Sequence, residues 1–189
     1  TCGASPGLVL ALNMSFDPGA RVAIARPGYV AYRGNLRALH MEPIELPCGE
    51  AERYQLSAAA LAALDPAPDG VILASPANPT GTIIPRDELE AIARVCRERG
   101  ITVISDEIYH GISYGQPTPS MLEVMPEALV VNSFSKYFSM AGWRLGWLIV
   151  PPSGIDAARA RMGNLFLTPP SLAQHAGAEA MLCTEELEA

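Results

Sequence analysis

Apolar positions along the chain change period repeatedly, from the three-to-four spacing of a helix buried on one side to the short continuous runs of buried strands. Residues 5–16 predict a helix, with Ser5 as its cap and Pro6 in its first turn. After the Asp17-Pro18-Gly19 turn, residues 21–25 predict a strand, 29–39 a helix, 41–46 a strand, and 57–64 a short helix that stops at Asp65-Pro66-Ala67-Pro68. The pattern then sharpens. Residues 70–75 read as a buried strand, 85–99 as an amphipathic helix with Leu89, Ile92, Ala93 and Cys96 on one face, and 101–105 as the next strand. Gly100 stands where a left-handed residue ends such a helix. Strands follow at 128–132 and 145–150, and helices at 155–165 and 171–182. Only about a dozen residues separate the last two strands, which is short for a parallel crossover, so the final strand is expected to be antiparallel. Alternating strands and helices predict an α/β fold with a largely parallel sheet.

Composition narrows the function. A chain of 189 residues, 49% of them apolar, buries one sizeable core, and residues 1–189 are expected to form one domain. Its 13 basic residues are scattered through a chain of net charge −7, so no basic stripe offers itself to nucleic acid. The longest apolar stretches, around residues 7–12 and 145–152, fall short of a bilayer span, and no signal-like segment opens the chain; a cytoplasmic protein is expected. Cys2, Cys48, Cys96 and Cys183 lie far apart, with no CxxC pair and no histidine at metal-ligand spacing. They read as reduced thiols, with neither a metal site nor a disulfide framework expected. The start without Met and the end in a polar helical run suggest a piece of a longer protein.

Chemistry concentrates at strand ends. Ser133-Phe134-Ser135-Lys136 follows a buried strand, and a lysine amine there can form an imine with an aldehyde. Arg144, eight positions on in Gly142-Trp143-Arg144-Leu145-Gly146, has the planar fork that clamps a phosphate. Ser75-Pro76-Ala77-Asn78-Pro79-Thr80-Gly81 ends another strand, where ligands bind in open α/β sheets, although Asn-Pro and Thr-Gly also punctuate ordinary turns. Asp106-Glu107-Ile108-Tyr109 ends the next strand; a carboxylate there serves equally as a cap or a solvated group. Asn78 and Asp106 are 28 residues apart, and Asp106 and Lys136 are 30 apart, so each ends a separate strand of one sheet. Gly3-Ala4-Ser5-Pro6-Gly7 opens a helix whose free N–H groups suit an anion. No GxGxxG follows a strand, which argues against a dinucleotide. His40, His110 and His175 have no partner in the sequence and read as structural or exposed.

These motifs, in this order, closely resemble the class I and II aminotransferases, from the turn at Gly3 to the helix near Gln174. The resemblance implies the large domain of a type I fold that binds pyridoxal 5'-phosphate (PLP). That fold is a three-layer sandwich around a mostly parallel sheet of about seven strands, one of them antiparallel, normally in a homodimer with sites at the subunit interface. It implies that Lys136 carries PLP and then moves a proton as general base, and that Asp106 faces the pyridine nitrogen. Asn78 and Tyr109 would share the phenolic oxygen. Ala4, Ser5, Arg144 and Ser133, Ser135 or both would hold the phosphate. Tyr29, in Pro27-Gly28-Tyr29-Val30-Ala31-Tyr32, would stack on the ring; the other reading is that Tyr29 and Tyr32 merely cover a helix face.

The implied reaction moves an amino group between an amino acid and a 2-oxo acid. Relatives of this kind run to about twice the length, with an N-terminal segment and a small C-terminal domain that holds the substrate carboxylate. If these 189 residues act alone, weak PLP binding and little transamination are expected. A PLP-dependent C–S β-lyase and a non-catalytic PLP-sensing domain of a transcription regulator share the same cofactor groups and stand as alternatives.

Overall fold

A computed structural model of the chain describes residues 1–188. One sheet is built from β1 (Arg21–Arg26), β2 (Glu42–Pro47), β3 (Gly70–Ala74), β4 (Thr102–Asp106), β5 (Leu129–Ser133) and β6 (Gly146–Ile149), in the order β2-β1-β3-β4-β5-β6. The strands β1 to β5 run parallel. As the short connection requires, β6 turns back antiparallel to β5, with Val131 opposite Leu148 and Ser133 opposite Gly146.

The α-helices are α1 (Ala4–Ser15), α2 (Val30–Ala38), α3 (Ala58–Ala62), α4 (Arg86–Arg99), α5 (Ile155–Phe166), α6 (Ser171–Ala180) and α7 (Thr184–Leu187). They cover both faces of the sheet. Leu8, Ala11 and Leu12 of α1 and Leu36 of α2 pack with Val22, Ile24, Ile72 and Ile104 on one face. On the other, Leu61 of α3 and Leu89, Ile92 and Cys96 of α4 pack with Val71, Leu73 and Val103. The result is a three-layer α/β sandwich.

Local chemistry explains the elements of the second face. Asp87 and Glu88 stand in the first turn of α4 and Arg97 and Arg99 in its last, each sign where the helix dipole favours it. Gly100 closes the helix at φ 66, ψ 30. Ser57 caps α3 by accepting from the Ala60 N–H at 3.1 Å. The guanidinium of Arg99 donates to the carbonyls of Leu61, Ala62 and Leu64, so the last turn of α4 satisfies the orphan carbonyls of α3.

Two expectations need correcting. The sheet has six strands among the described residues rather than about seven, because only six segments carry a strand pattern. On the outer edge of β6, Thr1 exchanges both backbone hydrogen bonds with Gly146, at 2.8 and 3.0 Å, but one residue pair does not make a strand. Nor does Ser5 cap α1. Gly3 occupies the cap position and no side chain closes that end, so Ser5 lies inside the first turn with Pro6 after it.

Candidate active site

Alternation along the strands decides what reaches the site. On β3, Val71 and Leu73 face α3 and α4, while Ile72 and Ala74 face α1 and α2. On β4, Ile104 faces α1 and α2, so Asp106 two residues later returns to that side. Leu129 and Val131 of β5 do the same and bring Ser133 with them. The carboxyl ends of three strands thus deliver their last residues to the face where α1 begins. Strand order adds a second condition. The chain runs from β1 outward to β2 and returns to β3 on the other side of β1, and ligands bind in the crevice outside such a switch point.

A cleft, open at its mouth, occupies that crevice. Of the residues expected from sequence, Ala4, Ser5, Tyr29, Asn78, Asp106, Tyr109 and Lys136 line it. Ser133, Ser135 and Arg144 do not; they lie beside it, around the start of α1.

Asp106 is 8% exposed, and each of its oxygens has a donor. The Ile108 N–H donates to Oδ1 at 3.1 Å and the Tyr32 hydroxyl to Oδ2 at 2.6 Å, the short distance of a hydroxyl bound to a carboxylate. Burial pushes the Asp106 carboxyl above its ordinary range, opposed by those two hydrogen bonds and by the charge of His110, while Glu107 adds to the rise. The Tyr32 hydroxyl is raised well above its ordinary value by burial first and then by the negative charge of Asp106, so it remains a donor.

Beyond β3 and β4, Asn78 Nδ2 lies 3.5 Å from Tyr109 Oη, bringing their polar ends to one spot. Lys136 stands exposed at the cleft, its Nζ 5.4 Å from the centroid of the Tyr109 ring. It is the one lysine of the chain; the other twelve basic residues are arginines. Tyr29, 40% exposed, caps α2 and meets Tyr32 edge-on at 5.5 Å.

Positive potential gathers at the start of α1. Its first N–H groups have no intrahelical acceptor and no side-chain cap. The Arg144 guanidinium lies over Gly3 and donates to the carbonyls of Ala141 (2.7 Å) and Cys2 (3.3 Å). Gly3 is required there: it adopts φ +107, and a Cβ would stand 2.5 Å from an Arg144 nitrogen. Ser133 Oγ at the end of β5 and Ser135 Oγ just beyond it are 2.6 Å apart.

Several contributors escaped the sequence reading. Tyr32, Asn35, Leu8 and Ile108 also line the cleft. Glu107, 4% exposed, anchors the site from behind, accepting from Ser105 Oγ at 3.1 Å, Ser120 Oγ at 2.9 Å and the Met121 N–H at 2.8 Å. His110 finds a partner after all, its Nδ1 3.5 Å from Glu107 Oε2. Gln55 donates to the carbonyls of Ala74 (3.1 Å) and Thr82 (2.8 Å), clamping both flanks of the loop that carries Asn78. The buried face shared by Tyr32 and Leu36 was the available signal for the first; Glu107 and Gln55 gave none.

An open α/β sheet with a lysine, a buried carboxylate and an anion-ready helix end at its switch point defines a cofactor-binding class of enzyme folds. The class I and II aminotransferase model matches residues 1–189, and the chain belongs to that family. It is 50% identical over 182 residues to the valine–pyruvate aminotransferase of Mycobacterium tuberculosis, covering 95% of this chain and 47% of that protein. With an aspartate aminotransferase of Streptomyces avermitilis it shares 34% identity over 164 residues, 84% of this chain and 40% of the relative. Among solved structures, an aminotransferase from Mycobacterium tuberculosis matches with a TM-score of 0.96 at 48% identity, over 100% of this chain and 50% of its own. An aspartate aminotransferase from Thermus thermophilus, solved with maleate, gives 0.91 at 31% identity over 99% and 49%. The chain spans about half the length of the curated relatives it matches. Among the described residues no helix is long and apolar enough to cross a membrane.

Proposed function

We propose that this chain is the PLP-binding part of an aminotransferase that moves an amino group between an amino acid and a 2-oxo acid. The observation that carries the reading is the convergence of buried Asp106 with Asn78, Tyr109 and Lys136 on one cleft at the ends of β3, β4 and β5.

The donor set fits PLP. The uncapped start of α1, with the Arg144 guanidinium over it, suits a phosphate; Ala4 and Ser5 would give amides, and Ser133 and Ser135 hydroxyls. Asp106 would face the pyridine nitrogen, where a buried anion favours the protonated ring. Asn78 and Tyr109 would hold the phenolic oxygen, and Tyr29 would cover one ring face. When bound, PLP supplies an electron sink for negative charge at the substrate carbon. Lys136 would hold the cofactor through its amine and, beside the substrate carbon, would carry a proton to and from that carbon. With this reading go a homodimer and a cytoplasmic location, both supported by the family resemblance. The name of the 50% identical relative supports valine and pyruvate as the first pair to assay.

The test is PLP addition to the purified chain, borohydride reduction and peptide mass mapping, with a Lys136→Ala variant in parallel. The expected result is a cofactor absorbance band near the visible edge and a reduced adduct on the Lys136 peptide, both missing in the variant. No other side-chain amine competes, because the chain has no second lysine. A wild-type chain that binds PLP without an adduct at Lys136 would overturn the assignment.

A further inference from the structure

Tyr32 is buried to 5% exposure on the first turn of α2, and its hydroxyl is spent on the one carboxylate that lines the cleft. A buried tyrosine needs a hydrogen-bond partner, and a backbone carbonyl would serve. Here the partner is an ionisable group 74 residues away, at 2.6 Å. The other groups around Asp106 do not do this work. From its own segment come Glu107, His110 and Tyr109, from the cap position of α2 Tyr29, and from beyond β5 Lys136; α1 contributes Ala4, Ser5 and Leu8, none of which titrates. Among the described residues Tyr32 is the only side chain that donates to Asp106, and the Ile108 N–H alone would leave the carboxylate free to turn about its other oxygen.

We propose that Tyr32 is a positioning residue for the cofactor: its hydroxyl fixes the plane of the Asp106 carboxylate and holds it as the anion that a protonated pyridine nitrogen needs. The proposal rests on the reading of Asp106 as the partner of that nitrogen. It separates Tyr32 from Tyr29 three residues earlier, whose exposed ring faces the cleft mouth and meets Tyr32 only edge-on.

The test is a double-mutant cycle on the PLP dissociation constant, using Tyr32→Phe, Asp106→Asn and the pair, joined to a carbon-13 titration of the Asp106 carboxyl in the cofactor-free protein. Phenylalanine keeps the ring and removes only the hydroxyl. Losing one charge-assisted hydrogen bond, Tyr32→Phe is expected to weaken PLP binding about tenfold and to move the Asp106 midpoint upward. In the Asp106→Asn background the same change should have less than about a twofold effect, because the group it acts through has gone. Equal weakening in both backgrounds, or an unmoved Asp106 midpoint, would make Tyr32 merely structural and overturn the proposal. If Asp106→Asn weakens PLP binding and Tyr32→Phe does not, the proposal alone falls. If Asp106→Asn leaves PLP binding unchanged, the reading of Asp106 falls and takes the proposal with it.

Discussion

The two faces of the sheet are made from the same strands, one residue out of step, yet they end differently. Against α3 and α4 the apolar packing runs from Leu61 through Leu89, Ile92 and Cys96 to Val71 and Val103, and the polar side chains buried at its strand ends, Ser75, Ser105 and Glu107, are spent on hydrogen bonds within the protein. Against α1 and α2 it is equally apolar in depth, with Leu12, Val22, Ile72 and Ile104, but gives way at the strand ends to Asp106, Tyr32 and an uncapped helix. Each fully buried aliphatic side chain on the dry face contributes roughly 1.5–3 kcal/mol. On the other face a carboxylate is buried against its preference. One face stabilises the fold, and the other uses part of that stability to keep reactive groups ready.

The contrast predicts graded outcomes. The largest belongs to the wet face: Lys136→Ala should abolish the borohydride-reducible PLP adduct while leaving the melting temperature almost unchanged, as mass mapping and thermal melts would record. Next, on the dry face, Ile92→Ala removes a side chain with 0% exposure and should cost about 2–5 kcal/mol in denaturant unfolding. Its PLP affinity, measured on the folded fraction, should stay at the wild-type value. Gly146→Ala tests the join between the faces. A Cβ there would stand 2.7 Å from the Asn132 carbonyl oxygen and 2.9 Å from the Gly3 backbone, so unfolding free energy should fall by about 1–3 kcal/mol and PLP affinity should fall with it.

Asp106→Asn should act in the opposite sense on stability, raising the melting temperature while weakening PLP binding. Burial raises the folded-state carboxyl above its unfolded value, so its ionisation costs stability at neutral pH, and that cost disappears as pH falls through the acidic range. The variant's advantage at pH 7 should therefore shrink in melts run toward acid. Smallest of all is the response of Cys96. Desolvation pushes its thiol up to about 12, so a thiol reagent at pH 8 should leave it untouched in the native chain while the exposed Cys183 reacts.

Much of this arrangement was legible in the chain because it rests on local pattern. The buried stripe of α4, its end at Gly100 and the reversal of β6 follow from periodicity, one glycine and a short connection. Asn78, Asp106 and Lys136 were readable as strand-end residues, and alternation carries them to a common side. What stayed hidden depends on how elements turn against each other. Tyr32 read as helix cover because its hydroxyl finds Asp106 only once α2 is rotated onto the sheet. Glu107 gave no signal because its partners, Ser120 and Met121, fold back to it from 13 and 14 residues away. Gln55 meets its loop across 19 and 27 residues. The missing cap on α1 was misread for a different reason, since Ser5 is a fitting cap by type and only the backbone shows the helix starting one residue before it.

The contact of Arg144 with the Cys2 carbonyl, 142 positions apart in sequence, also orders events in time. The corner of the cleft at the start of α1 joins the first few residues to the turn before the last strand, so it cannot exist in a chain that has folded only as far as β4. Loop closure over such a span comes late and slowly compared with local helix formation. During synthesis, therefore, the amino end of α1 stays without the guanidinium beside it until Arg144 has emerged and β6 has turned back along β5. That corner of the cleft is thus among the last parts of this fold to form and takes no part in its early steps.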